Sequence, residues 1–146
     1  MGRPEREAEA AAIGTPDGPL IGAGRPRLWH YGGVLVYKIL LPSEWAELQA
    51  VGRFDGSPLD RDSGFIHCSS RAQLPATAAR FFGDQPRLVV VALDATRLGD
   101  AVRWEDASNG ERFPHLYAAL PAEAVVGVHH LAGAARIDQE IPWSIQ

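Results

Sequence analysis

Residues 102–116, Val102-Arg103-Trp104-Glu105-Asp106-Ala107-Ser108-Asn109-Gly110-Glu111-Arg112-Phe113-Pro114-His115-Leu116, decide the fold class. Two β-prone runs, Val102 to Glu105 and Arg112 to Leu116, flank Asn109-Gly110. That dipeptide tolerates the positive φ of a tight hairpin turn. A hairpin joins antiparallel strands, so this half of the chain is not built from parallel crossover units. Upstream, Arg87 to Asp94 (RLVVVALD) is apolar almost throughout, as a central strand is. Downstream, Pro121 to Ala124 reads as a turn and Val125 to Leu131 as a further strand. Val34 to Leu41 (VLVYKILL) is the first strand. Pro42-Ser43-Glu44 then opens a helix to about Val51, and Gly52 stops it. Trp45, Leu48 and Val51 should form one buried stripe. Phe54 to Gly64 is polar and reads as a loop, and Phe65 to Cys68 as a short strand. Ser70-Arg71-Ala72-Gln73 is a capping box for a helix to Phe82, its regular part starting near Pro75. Helices early and a meander late predict an α+β fold with two substantial helices, near 43–51 and 71–82.

Composition narrows the function. The chain has 146 residues, 46% hydrophobic and 22% charged, which suits one globular domain. Residues 1–26, rich in Gly, Pro and unpatterned charge, read as a flexible tail dispensable for folding. The domain is expected over 27–146, with Ala132 to Gln146 a tail from which Ile141 and Trp143 pack back. The formal charge of −4 and the lack of a Lys/Arg run disfavour a broad nucleic-acid surface. No apolar run approaches the ~18 residues of a membrane span, and charges interrupt the N-terminus where a secretory signal would be apolar. The single cysteine, Cys68, forbids an intrachain disulfide and fits a reducing cytoplasm. It reads as a small buried hydrophobe. Neither H-x-x-x-H nor C-x-x-C spacing occurs, nor G-x-G-x-x-G, so no metal, Rossmann or P-loop site is expected.

The candidate site rests on His67, Glu105 and His115. A histidine titrates near neutral pH, and a carboxylate accepts protons or stabilises a cation. Strand alternation puts Phe65 and His67 on one face, with Ile66 and Cys68 on the other. By the same rule His115 shares a face with Phe113 and Tyr117, and Pro114 suggests an edge or bulge. Lys38 interrupts an apolar strand. Burying an unpaired ammonium is costly, so it should face the cleft or find a carboxylate; the cleft is the expected outcome. Arg112 is a candidate anion clamp. Tyr37, Phe65, Ser69 and Tyr117 complete the candidate substrate-binding set. His129-His130 are adjacent, so both cannot enter one site.

The series Tyr37-Lys38-Ile39, Glu44-Trp45, Gly64-Phe65-Ile66-His67, Gln73, Phe81-Phe82, Trp104-Glu105 and Arg112-Phe113-Pro114-His115-Leu116-Tyr117 resembles the bacterial family called domain of unknown function 952. The likeness runs from about Val34 to Leu131. It implies a fold like that of ADP-ribosyltransferases, with two small antiparallel β-sheets around a cleft and two main helices. Enzymes of that fold transfer the ADP-ribosyl group of NAD. The resemblance places their first-strand polar position on Lys38, after Tyr37, and their late acidic position on Glu105. His67 and His115 belong to the family's own signature.

Three expectations follow. One is ribosyl transfer or glycohydrolysis on NAD or a related nucleotide, with Glu105 stabilising an oxocarbenium-like transition state. NAD would be a substrate, and no bound cofactor is implied. Another is a cofactor-free acid–base lyase, isomerase or cyclase on a small metabolite, with His67 and His115 moving protons. The third is a non-catalytic module that binds a nucleotide or metabolite. All three predict Lys38, His67, Glu105 and His115 around one cleft.

Overall fold

Nine β-branched or leucine side chains on two antiparallel strands, β1 (Leu35–Leu40) and β4 (Leu88–Asp94), start the fold. The pair is in continuous register from Leu35↔Asp94 to Leu40↔Val89, and every residue of both strands is buried. Burial on both faces explains why these runs lack polar alternation. Strand β8 (Val125–Leu131) adds to the other side of β4, with a bulge at Ala92/Leu93, giving a three-stranded sheet in the order β1-β4-β8. The computed structural model describes residues 34–143, which belong to one compact unit. The expected tail over 1–26 lies outside the described residues.

The hairpin forms as its Asn-Gly signal requires. Strands β5 (Val102–Asp106) and β6 (Arg112–Leu116) pair antiparallel, and Gly110 takes φ 85°. The two-residue strand β3 (Ile66–His67) joins the other edge of β6, giving a second sheet in the order β3-β6-β5. A third, two-stranded sheet pairs β2 (Arg53–Phe54) with β7 (Leu120–Pro121). Tyr37 and Ser69 exchange backbone hydrogen bonds of 2.8 Å each, which tie β1 to the chain just after β3. The architecture is α+β with several small antiparallel sheets.

Between the two larger sheets lies the core: Val36, Leu40, Val89, Val91 and Leu93 from one, Ile66, Cys68 and Leu116 from the other. Helix α1 (Pro42–Val51) closes it with Leu48; the Glu44 carboxylate accepts the Leu41 amide at 2.8 Å, and Gly52, at φ 89°, ends the helix. Val51 does not join the buried stripe and is 61% exposed. Each i+3 step falls about 60° short of a full turn, so a strict three-residue series drifts off the buried face.

Phe54 to Gly64 is not wholly loop. Helix α2 (Pro58–Ser63) sits inside it, capped by Ser57. Helix α3 (Leu74–Phe82) begins where Pro75 dictated, after Ser70 and Gln73 exchange capping bonds of 2.9 and 3.3 Å. Helix α4 (Ala95–Leu98) is one turn long. The segment after Leu131 is more ordered than a tail. Helix α5 (Ile137–Glu140) forms there, and the buried Arg71 guanidinium holds Asp138 Oδ1 at 3.0 Å and the Ile141 carbonyl at 2.8 Å. Ile141 is buried, whereas Trp143 stays exposed with its ring 4.5 Å from the Arg71 guanidinium carbon. No described helix is long and apolar enough to cross a membrane.

Candidate functional site

Register decides which side chains meet. His67 pairs directly with His115 across β3 and β6, so both imidazoles stand on one face of the second sheet. Their ring centroids are 5.7 Å apart at 67°. Phe65 stacks on His115 at 4.0 Å and tilts against His67 at 4.5 Å. Tyr117 closes the aromatic group 5.3 Å from Phe65. Alternation sends Ile66, Cys68 and Leu116 the other way, into the core.

Each imidazole has its own carboxylate. His115 Nδ1 lies 2.8 Å from Glu105 Oε1, and the Tyr117 hydroxyl donates to the same oxygen at 2.7 Å. Those bonds, Tyr117's first, hold the Glu105 carboxyl below its ordinary range, and the Tyr117 phenol is correspondingly pushed up. His67 Nδ1 lies 2.7 Å from Asp60 Oδ1, and the His67 amide donates to that oxygen at 3.1 Å. Asp60 Oδ2 accepts from Lys38 Nζ and from the Ser57 amide, both at 3.0 Å. Burial pushes the Asp60 carboxyl up. The His67 bond, the Lys38 charge and the two amides outweigh it and hold the carboxyl well below the usual range.

An ionised carboxylate only accepts, so each Nδ1 bears the proton. Neither Nε2 makes a hydrogen bond among the described residues. The His67 side chain is 36% exposed and that of His115 11%, so both rings reach solvent from rigid positions.

Asp60 escaped the sequence reading. Its signal was Ser57-Pro58-Leu59-Asp60, a capping box with proline at the first helical position. Gly56 makes room for it: at φ 113°, a Cβ there would lie 2.9 Å from Asp60 Cβ.

Lys38 does not face a cleft. It shares a strand face with Val36 and Leu40, both in the core, and its ammonium is buried against Asp60 with a further bond of 3.0 Å to the His67 carbonyl. Interior burial demands such a partner. Arg112 is also off the site. Its parity on β6 is opposite to that of His115, and it pairs with Asp106 at 3.2 Å on the exposed side. Tyr37 and Ser69 are buried, and their contribution here is the backbone bridge that anchors the end of β3. Phe65, Glu105 and Tyr117 join the two histidines. Burial pushes the Cys68 thiol up to about 12, which removes it as a nucleophile at neutral pH. His129 and His130 lie on β8, in the other sheet. Among the described residues no group of three or more His, Cys, Asp or Glu is placed to hold a metal.

The family described as Protein of unknown function (DUF952) matches residues 39–128. The chain is similar to protein CC0527 from Caulobacter crescentus. That protein's crystal structure is 44% identical with a TM-score of 0.64, over 66% of this chain and 85% of that one. Its solution NMR structure is 40% identical with a TM-score of 0.64, over 72% of this chain and 95% of that one. No curated protein matches. With more than half of its length matched, this chain belongs to the DUF952 family.

Proposed function

We propose that the protein is a cofactor-free acid–base enzyme acting on a small metabolite. One observation carries this reading: two carboxylate–imidazole pairs stand side by side on a rigid sheet, each with Nδ1 held and Nε2 unbonded. A neutral imidazole in that tautomer presents Nε2 as a base, and its carboxylate stabilises the imidazolium formed on proton uptake. One ring takes a proton from a substrate atom while its protonated neighbour returns one to another atom. Net proton balance is zero, which suits a lyase, isomerase or cyclase. Centroids 5.7 Å apart let both rings serve one small molecule, with Phe65 as an apolar wall. The two pairs have unlike settings. Asp60 is buried against a cation, whereas Glu105 meets a phenol and solvent. Unlike settings are how paired groups divide into acid and base. The lone, buried Cys68 supports a reducing, cytoplasmic setting.

Ribosyl transfer on NAD, in an ADP-ribosyltransferase-like cleft, is the second reading. Glu105 favours it, lying part-exposed beside the aromatic rings of Tyr117 and Phe65, surfaces suited to a nicotinamide. The commitment of Lys38 to Asp60 weighs against it.

Metabolite profiling tests both. Wild-type protein, His67→Ala and His115→Ala are incubated with a metabolite panel that includes NAD, and consumption is followed by mass spectrometry. The acid–base reading expects a substrate consumed by wild type and spared by both histidine variants. Nicotinamide release lost in Glu105→Gln would favour ribosyl chemistry instead. Ligand-induced thermal stabilisation without turnover would mark a binding module.

A further inference from the structure

We infer that Arg103 is the anion-binding residue of this site, so its substrate carries an oxyanion, a phosphoryl or carboxylate group. The inference deepens the acid–base reading and rests on it for the word substrate.

The pairing register is the first observation. His67 pairs with His115 across β3 and β6, and His115 pairs with Arg103 across β6 and β5. Directly paired residues point to the same face. His67, His115 and Arg103 therefore form one row across the sheet, with neighbouring strands about 4.8 Å apart. Arg103 Cα is then about 5 Å from that of His115 and about 10 Å from that of His67, within the span of a small metabolite.

The second observation is how the guanidinium is held. It lies 4.6 Å from the centroid of the Tyr117 ring, whose hydroxyl bonds the Glu105 carboxylate that orients His115. Stacking on an aromatic face limits the side chain's freedom without using its N–H donors.

The third is what Arg103 lacks. It makes no ion pair or hydrogen bond among the described residues, although its charge is felt by Glu105. On the same hairpin Arg112, by contrast, is paired to Asp106. A positioned guanidinium with its fork unused, beside two oriented imidazoles, matches a planar or tetrahedral oxyanion bidentately.

The test follows the ring resonances of His67 and His115 by NMR in the full-length protein during titration with inorganic phosphate, and separately with acetate. Sodium chloride at matched ionic strength is the control. Saturable shifts of the His115 ring with phosphate, acetate or both are expected in wild type. Phosphate alone assigns a phosphoryl group, and acetate a carboxylate. Apparent affinity should fall at least about tenfold in Arg103→Gln, and by less in Arg103→Lys, which keeps the charge but not the fork. Arg103 is exposed, so both variants should keep the wild-type melting temperature. Absence of saturable shifts in wild type, or equal affinity in Arg103→Gln, would overturn the inference. Anion binding is read here without turnover. A failed acid–base reading would leave the Arg103-dependent shifts in place, and a failed anion site would leave histidine-dependent turnover in place.

Discussion

Replacing Asp60 by Asn probes the element on which the His67 pair is built. The wild-type carboxylate accepts four hydrogen bonds: from Lys38 Nζ, from the Ser57 and His67 amides, and from His67 Nδ1. Asn keeps the shape but loses the charge and one acceptor oxygen. The Lys38 ammonium, its side chain only 7% exposed, is then left without a counter-charge. Breaking a buried pair from one side costs about 3–5 kcal/mol. With a urea m-value of about 2 kcal/mol/M, the unfolding midpoint should fall by roughly 1.5–2.5 M at unchanged m. Adding Lys38→Met removes the orphaned cation and should recover up to about 3 kcal/mol, read from a double-mutant cycle. The pH dependence carries a sign. The folded Asp60 carboxyl is depressed, so its stabilisation is fully present above the unfolded value of about 3.9 and is lost as pH falls below it. Asp60→Asn should therefore flatten the acid limb of stability. A midpoint within about 0.3 M urea of wild type, or an unchanged acid limb, would refute the buried-pair account.

Gly56→Ala should destabilise by more than about 1 kcal/mol and disturb Asp60, because it combines a positive φ with a Cβ 2.9 Å from Asp60 Cβ; urea titration checks it. Tyr117→Phe should let the Glu105 carboxyl titrate nearer its ordinary value, since the Tyr117 bond is the main cause of its depression; carboxyl carbon shifts against pH read this directly. Cys68, buried and with its thiol pushed up to about 12, should resist a thiol reagent in the native state near about pH 8 and react fully once unfolded.

Local pattern carried most of the sheet. Leu88–Asp94 and Val125–Leu131 announce themselves by apolar runs, and the hairpin by Asn109-Gly110. The placement of His67 and His115 on aromatic-bearing faces was legible as strand parity, and Glu105 beside His115 only through the family likeness. Asp60 was missed because Asp, Pro and Gly composition reads as loop, and its partner Lys38 lies 22 residues away. Only tertiary packing brings the two together, and the same contact turned Lys38 from a cleft residue into a buried one. Arg112 was misplaced although parity alone separates it from His115. Helix α5 has four residues, too short for a periodic signal, and depends on the long-range Arg71 contacts.

The tautomers of His67 and His115 test the central claim most directly. Long-range nitrogen–proton correlation spectra, recorded where both rings are neutral, distinguish a protonated Nδ1 from a protonated Nε2. Two carboxylate-held rings predict Nδ1–H with a bare Nε2 at both positions, the form less favoured by free imidazole, and loss of that form at His67 in Asp60→Asn and at His115 in Glu105→Gln. Nε2–H tautomers at both rings, unchanged in those variants, would contradict it.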